Sequence, residues 1–152
     1  MTEAWLSDAE QQTWRRYLRM GSLLPAALNR QLQQDCGLTL PEYDVLVQLS
    51  ETPGHRLRPY QICEGLNWEQ SRLSHQLTRM ERRGLVSRHE CAADGRGAFI
   101  ELTAAGAAAI DAAAPRHVAT VRKLVFDQLS DAQRAALDEA CTAILTALSD
   151  QP

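Results

Sequence analysis

Pro59-Tyr60-Gln61-Ile62-Cys63-Glu64-Gly65-Leu66, then Asn67-Trp68, then Glu69 to Arg83, then Gly84-Leu85-Val86 is the stretch that decides the fold. Behind Arg58-Pro59, the apolar residues Ile62, Cys63 and Leu66 predict a short helix, and Asn67-Trp68 makes a tight connection into a second helix of about Glu69 to Arg83. Beyond it, Leu85 to Glu90 reads as a strand, Cys91 to Gly97 as a turn with two glycines, and Ala98 to Leu102 as the return strand. Two helices joined tightly and followed by a two-stranded ribbon is the order of a winged helix-turn-helix.

The flanks extend this unit with helices. Ser7-Asp8-Ala9-Glu10 has capping-box spacing, and Trp14, Leu18, Leu24, Leu28 and Leu32 continue a helical pattern to Asp35, where Gly37 supplies a stop. Pro25 predicts a bend between Gly21 and Pro25. Thr39-Leu40-Pro41-Glu42 opens a second helix through Val45, Leu46 and Leu49, ended by Thr52-Pro53-Gly54. After the ribbon, Thr103 caps a long Ala-rich helix that continues past Pro115 to Val125. Ser130-Asp131-Ala132-Gln133 then opens a last helix bearing Leu137, Cys141, Ile144, Leu145 and Leu148. The expected fold is mainly α with a small β-hairpin wing. It divides into an N-terminal dimerisation helix (1–36), a winged helix-turn-helix (37–103) and C-terminal dimerisation helices (104–152), all one structural unit. Apolar positions at both ends exceed what one small winged core can cover, and burying a single Leu is worth roughly 1.5 to 3 kcal/mol, so the terminal helix needs a partner surface.

Composition narrows the function classes. The chain has 152 residues, 45% of them hydrophobic, with charges interrupting every apolar run before it approaches the roughly 18 residues of a membrane span. Glu3 and Asp8 stand where a secretory signal would be basic and then apolar, so a cytoplasmic, soluble protein with no membrane contact is expected. The net charge is -3, but His55 to Arg96 holds eight arginines (56, 58, 72, 79, 82, 83, 88 and 96) against five acids (Glu64, Glu69, Glu81, Glu90 and Asp94). A basic segment in an acidic body suits one-sided approach to phosphate. The histidines His55, His75, His89 and His117 form no His-x3-His pair, and His89-x-Cys91 alone is a poor zinc signature. With no nucleophile elbow, phosphate loop or zincin motif either, no metal, no cofactor and no enzyme activity are expected.

On a helical wheel, Leu73, Leu77 and Met80 mark the buried side of the helix from Glu69 to Arg83. Ser71, His75, Thr78, Arg79 and Arg82 lie opposite, with Arg72 and Ser74 on the flanks. Arginine, serine and threonine are side chains that read base edges in a major groove. A solvated face is the simpler reading of such a helix alone, and the adjacent ribbon is what turns the reading toward duplex DNA. At the ribbon's tip, Arg96 between Gly95 and Gly97 is suited to a minor groove, with Asp94 as support for the wing, although Asp-Gly also makes plain hairpin turns.

The segments Ile62 to Leu66, Ser71 to Arg83, Arg83-Gly84-Leu85-Val86, Asp94-Gly95-Arg96 and Leu102-Thr103-Ala104-Ala105-Gly106, in this order and spacing, resemble the MarR family of bacterial transcription regulators. The resemblance covers nearly the whole chain. It implies a homodimer with interlocking terminal helices, bound to a pseudo-palindromic operator in double-stranded DNA. Ser71, Arg72, His75 and Arg79 are then groove contacts and Arg96 the wing contact. Glu69 departs from the Ser or Thr common in relatives, and His75 from Arg. The resemblance also implies a small aromatic or phenolic effector, or oxidation of a cysteine. Trp14, Tyr17, Arg15, Arg16 and Arg19 offer aromatic and cationic groups for such a ligand, although interface packing and solvated arginines are the simpler reading. Among four scattered cysteines, Cys63 and Cys141 read as small core residues, while Cys36 and Cys91 are the candidates for redox chemistry; redox-sensing relatives carry theirs early in the first helix, where this chain has none. The expected function is a DNA-binding transcriptional regulator acting as a repressor, with a small aromatic ligand as the candidate for its release. The alternatives are a cysteine-based redox-sensing regulator and a winged-helix interaction adaptor without DNA binding.

Overall fold

A computed structural model describes residues 5–90 and 97–151 of the chain. Its helices are α1 (Asp8–Cys36), α2 (Leu40–Ser50), α3 (Pro59–Leu66), α4 (Gln70–Arg82), α5 (Ala104–Leu124) and α6 (Asp131–Ser149). Its strands are β1 (Arg56–Leu57), β2 (Val86–Glu90) and β3 (Ala98–Leu102). The fold is mainly helical with a small wing, as the sequence predicts, and local chemistry sets most boundaries. Ser7 Oγ accepts the Glu10 amide at 3.2 Å while the Ser7 amide donates to Glu10 Oε2 at 2.8 Å. Thr39 with Glu42 and Ser130 with Gln133 repeat this reciprocal cap. The Leu40 amide, another orphan of a helix start, donates to Asn29 Oδ1 at 2.8 Å and ties α2 to α1.

The helix that contains Pro25 remains one 29-residue element. The carbonyl deprived of its donor by Pro25 belongs to Gly21, which is exposed and can be satisfied by water. The predicted two-stranded ribbon is a three-stranded antiparallel sheet in the order β1-β3-β2. Leu57 pairs with Ile100 on one side of β3, and Val86 pairs with Leu102 on the other.

The core lies where α2, α3, α4 and the sheet meet the end of α1. Leu32, Leu46, Leu49, Ile62, Leu73, Leu77, Met80 and Ile100 are fully enclosed there. α5 packs along α1 and α2 and adds Ile110 and Ala113. A close approach fixes its start: a Cβ on Gly106 would sit 2.1 Å from the Leu85 carbonyl oxygen, so only glycine fits.

The terminal helices differ from this core. Leu32 is the one buried residue of α1, and every residue of α6 is exposed. Ile144, Leu145 and Leu148 are each about 60% accessible. Cys141, expected in a core, is exposed with them, because the described residues leave the apolar face of α6 largely uncovered. No helix among the described residues is long and apolar enough to cross a membrane.

Candidate nucleic-acid interface

α4 is positioned from both ends. At its start, Asn67 takes the left-handed conformation (φ 53, ψ 48) that ends α3, and the Trp68 amide donates back to the Cys63 carbonyl at 3.0 Å. Glu69 occupies the cap position without a side-chain capping bond. At the other end, Gly84 (φ 73) lets the Leu85 amide return to the Met80 carbonyl at 3.0 Å and sends the chain into β2. Leu73, Leu77 and Met80 face inward as expected, joined by Gln76, whose polarity hid it from the wheel.

All seven residues predicted to read DNA from this helix are exposed: Ser71, Arg72, Ser74, His75, Thr78, Arg79 and Arg82. Their surroundings divide them. Arg79 donates to Gln76 Oε1 at 3.0 Å, and the Thr78 hydroxyl donates to the Ser74 carbonyl at 3.0 Å. The Arg72 guanidinium lies over the Trp68 ring, 4.2 Å from its centroid. Asp44 of α2 is close enough for Arg72 to oppose the main influence on its carboxyl, burial, which pushes its pKa up. Arg83, next along the same flank, forms an ion pair with Glu42. Arg83 thus ties that flank of α4 to α2, while Arg72 stays exposed over the Trp68 ring, beside the outward row Ser71, His75, Thr78 and Arg82.

The wing stands on aromatic and ionic contacts that the sequence reading missed. Phe99 of β3 receives the guanidinium of Arg58 at 4.2 Å and that of Arg56 at 5.5 Å. Arg88 of β2 pairs with Glu81 of α4 at 3.3 Å, and His89 Nε2 lies 3.2 Å from Glu101 and 2.9 Å from Ser87 Oγ. A hollow of about 230 Å³ is lined by Pro59 of α3, Gln70, Leu73, Ser74 and Leu77 of α4, and Arg88 of β2. Arg96, its supporting Asp94 and the redox candidate Cys91 lie outside the described residues. The only advance signal for Trp68 and Arg72 was their spacing of one helical turn.

The candidate effector residues are only partly brought together. Trp14 stacks on Tyr17, with centroids 5.5 Å apart and planes inclined by 17°. Trp14 and Arg15 line a hollow of about 250 Å³ with Trp5, Leu6 and Gln11, and Tyr17, Arg16 and Arg19 are not in its lining. Cys36 is half-buried at the end of α1. Burial, then the nearby Glu69 charge, pushes the Cys63 thiol pKa up, away from thiolate chemistry. Among the described residues no group of three or more His, Cys, Asp and Glu side chains is placed to hold a metal ion.

Known proteins share this arrangement. The MarR family profile matches residues 37–97. AbsC, a MarR family transcriptional regulator from Streptomyces coelicolor, superposes with a TM-score of 0.90 at 41% identity, over 98% of this chain and 100% of AbsC. Sco3205, a MarR family transcriptional regulator from the same organism solved in complex with DNA, superposes with a TM-score of 0.90 at 39% identity, over 99% and 93% of the two chains. The transcriptional regulator HosA of Escherichia coli is 38% identical over 78 residues, 51% of this chain, and the match spans 56% of HosA. On the full-length agreement with AbsC and Sco3205 as well as the family profile, the chain belongs to the MarR family of transcriptional regulators.

Proposed function

We propose that this protein is a DNA-binding transcriptional regulator that acts as a homodimer on a pseudo-palindromic operator, each α4 entering a major groove and each wing following the backbone beside it. The carrying observation is the exposed row Ser71, His75, Thr78 and Arg82, flanked by Arg72, Ser74 and Arg79, on a helix whose other side is locked into the core. Residues 37–103 form the DNA-binding part in this reading, and the segments 1–36 and 104–152 dimerise. The dimer is supported by the uncovered apolar faces of α1 and α6, where Leu18, Leu23, Ile144, Leu145 and Leu148 are at least half exposed. Seated on a promoter, such a dimer would act as a repressor by excluding polymerase. Arg96 remains the proposed wing contact.

Selection from a random-sequence DNA duplex library by the purified protein tests this. Enrichment of a site with two-fold symmetry is expected, with binding that weakens steeply as salt rises. Failure to enrich any sequence would leave the interaction-adaptor reading in its place.

The hollow beside Trp14 supports an aromatic acid as effector, its ring meeting the indole and its carboxylate meeting Arg15. Operator affinity measured across a panel of aromatic carboxylates should fall for at least one of them, and an unchanged affinity throughout would refute this assignment.

A further inference from the structure

We propose that Trp68 is a positioning residue for sequence reading: its indole holds the Arg72 guanidinium ready for a guanine while, among the described residues, no acceptor engages the N–H groups of that guanidinium. The inference rests on the DNA-binding reading above and adds to it a residue that does not itself touch DNA.

Trp68 is a fixed platform. Its backbone is held by the left-handed Asn67 and by the 3.0 Å bond to Cys63, and its half-buried ring packs against the core. Arg72 follows one turn later, exposed to solvent, with its guanidinium 4.2 Å from the ring centroid and within the field of Asp44.

The neighbouring arginines are held in a different way. Arg79 donates to Gln76, Arg83 to Glu42 and Gly37, and Arg88 to Glu81, so each engages part of its hydrogen-bonding edge inside the protein. Arg82 has neither a stacking nor a hydrogen-bonding partner among the described residues. Arg72 combines the two advantages. The indole attracts the cation without offering it an acceptor atom, and among the described residues the Arg72 guanidinium donates no hydrogen bond. The long side chain is thus ordered before DNA arrives, and the paired donors needed for the O6 and N7 acceptors of guanine remain available.

The test uses the full-length protein and the duplex enriched by the wild type. Dissociation constants are measured by fluorescence anisotropy for that duplex and for a scrambled version at one salt concentration. Trp68→Leu should reduce the ratio of the two constants by about tenfold or more, the scale of one lost bidentate base contact, with binding to the scrambled duplex unchanged. Trp68→Phe, which keeps a ring, should restore most of the ratio. In an Arg72→Ala background, Trp68→Leu should have no further effect, because Trp68 acts through Arg72. Arg72→Lys leaves the platform intact and covers the case in which Trp68→Leu does not fold. It keeps the charge without the planar fork, and its ratio should drop to that of Arg72→Ala. A retained ratio in Trp68→Leu or in Arg72→Lys, or an equal loss on adding Trp68→Leu to Arg72→Ala, overturns the proposal. If the wild type enriches no sequence, the DNA-binding reading itself is what fails.

Discussion

Arg83, at the end of α4, forms an ion pair with Glu42 of α2, a residue 41 positions earlier, and its second terminal nitrogen donates to the Gly37 carbonyl at 2.8 Å. One planar guanidinium thus joins the end of α4 to the junction of α1 and α2. The Glu42 carboxylate is buried, and its other bond is the 3.1 Å cap to the Thr39 amide. Arg83→Ala would leave that charge half-satisfied. Because the Arg83 side chain is 44% accessible, the penalty is discounted for solvent to about 1 to 2 kcal/mol. Urea unfolding at fixed protomer concentration measures it, with Arg83→Lys expected to lose less. A loss within error for Arg83→Ala would show that the pair contributes nothing.

Gly106 gives a prediction of opposite character, since nothing is removed. The added methyl of Gly106→Ala would meet the Leu85 carbonyl oxygen at 2.1 Å and Leu102 Cδ1 at 2.8 Å, and the first of these is backbone. α5 would have to shift away from the root of the wing. The expected cost is about 1 to 3 kcal/mol, well above the usual gain from alanine in a helix. A melting temperature equal to or above that of the wild type would contradict the packing described.

These two contacts mark the boundary of what was legible in the sequence. Capping boxes at Ser7, Thr39 and Ser130 are local, and each opens the helix expected of it. The buried row Leu73, Leu77 and Met80 is set by helical period and was equally readable. Arg83 with Glu42, Arg56–Leu57 with Ile100–Glu101, and Phe99 beneath Arg58 join residues about 40 apart, where periodicity carries no information. Gln76 and Trp68 were hidden by residue type, the first a polar side chain inside and the second a turn residue with no predicted role. Cys141 was misplaced for another reason: an apolar stripe says that a helix needs a partner and leaves open whether its own chain supplies one.

That stripe can be tested on α6. Leu145→Glu places a charge where Leu145 is 62% exposed in the single chain, so the fold of one protomer should tolerate it. If a second copy covers the stripe, the charge is buried unpaired and the dimer dissociates. Sedimentation velocity should then show monomer for Leu145→Glu and dimer for the wild type. Persistence of the dimer in the variant would place the interface elsewhere.

The arginines proposed to contact DNA should separate by salt dependence. Arg82 and Arg96, if they meet phosphate or groove, should on change to alanine weaken all duplexes alike and lower the salt slope by about one each. Arg79, if it leaves Gln76 to read a base, should on change to alanine lose roughly 1 to 3 kcal/mol on the enriched site alone. Titrations at several salt concentrations with enriched and scrambled duplexes distinguish the two patterns, and a uniform loss for Arg79→Ala would reassign it to the backbone.

His117 predicts an acid-sensitive joint between α5 and the α1–α2 junction. Its ring lies against Tyr43, with centroids 4.3 Å apart, and its Nδ1 is 3.3 Å from Gln31 Oε1, while Gln31 Nε2 donates to Asp35 and Arg116 donates to the Asp35 carbonyl. Burial holds the His117 pKa below its ordinary value of 6.5. The unfolded chain therefore takes up a proton as the pH falls through 6.5, whereas the folded chain keeps a neutral ring until lower pH. The sign follows: this contribution to stability is complete above that value and declines below it, levelling off at the folded pKa. Melting temperatures of wild type and His117→Asn at pH values of about 7.5 and 5.5 isolate the effect, because Asp and Glu carboxyls mostly titrate lower and the other histidines are common to both proteins. The variant should be less stable at the higher pH, having lost the ring, yet should lose less than the wild type on acidification. Equal losses would mean that His117 can take up its proton in place, with α1, α2 and α5 still packed around it.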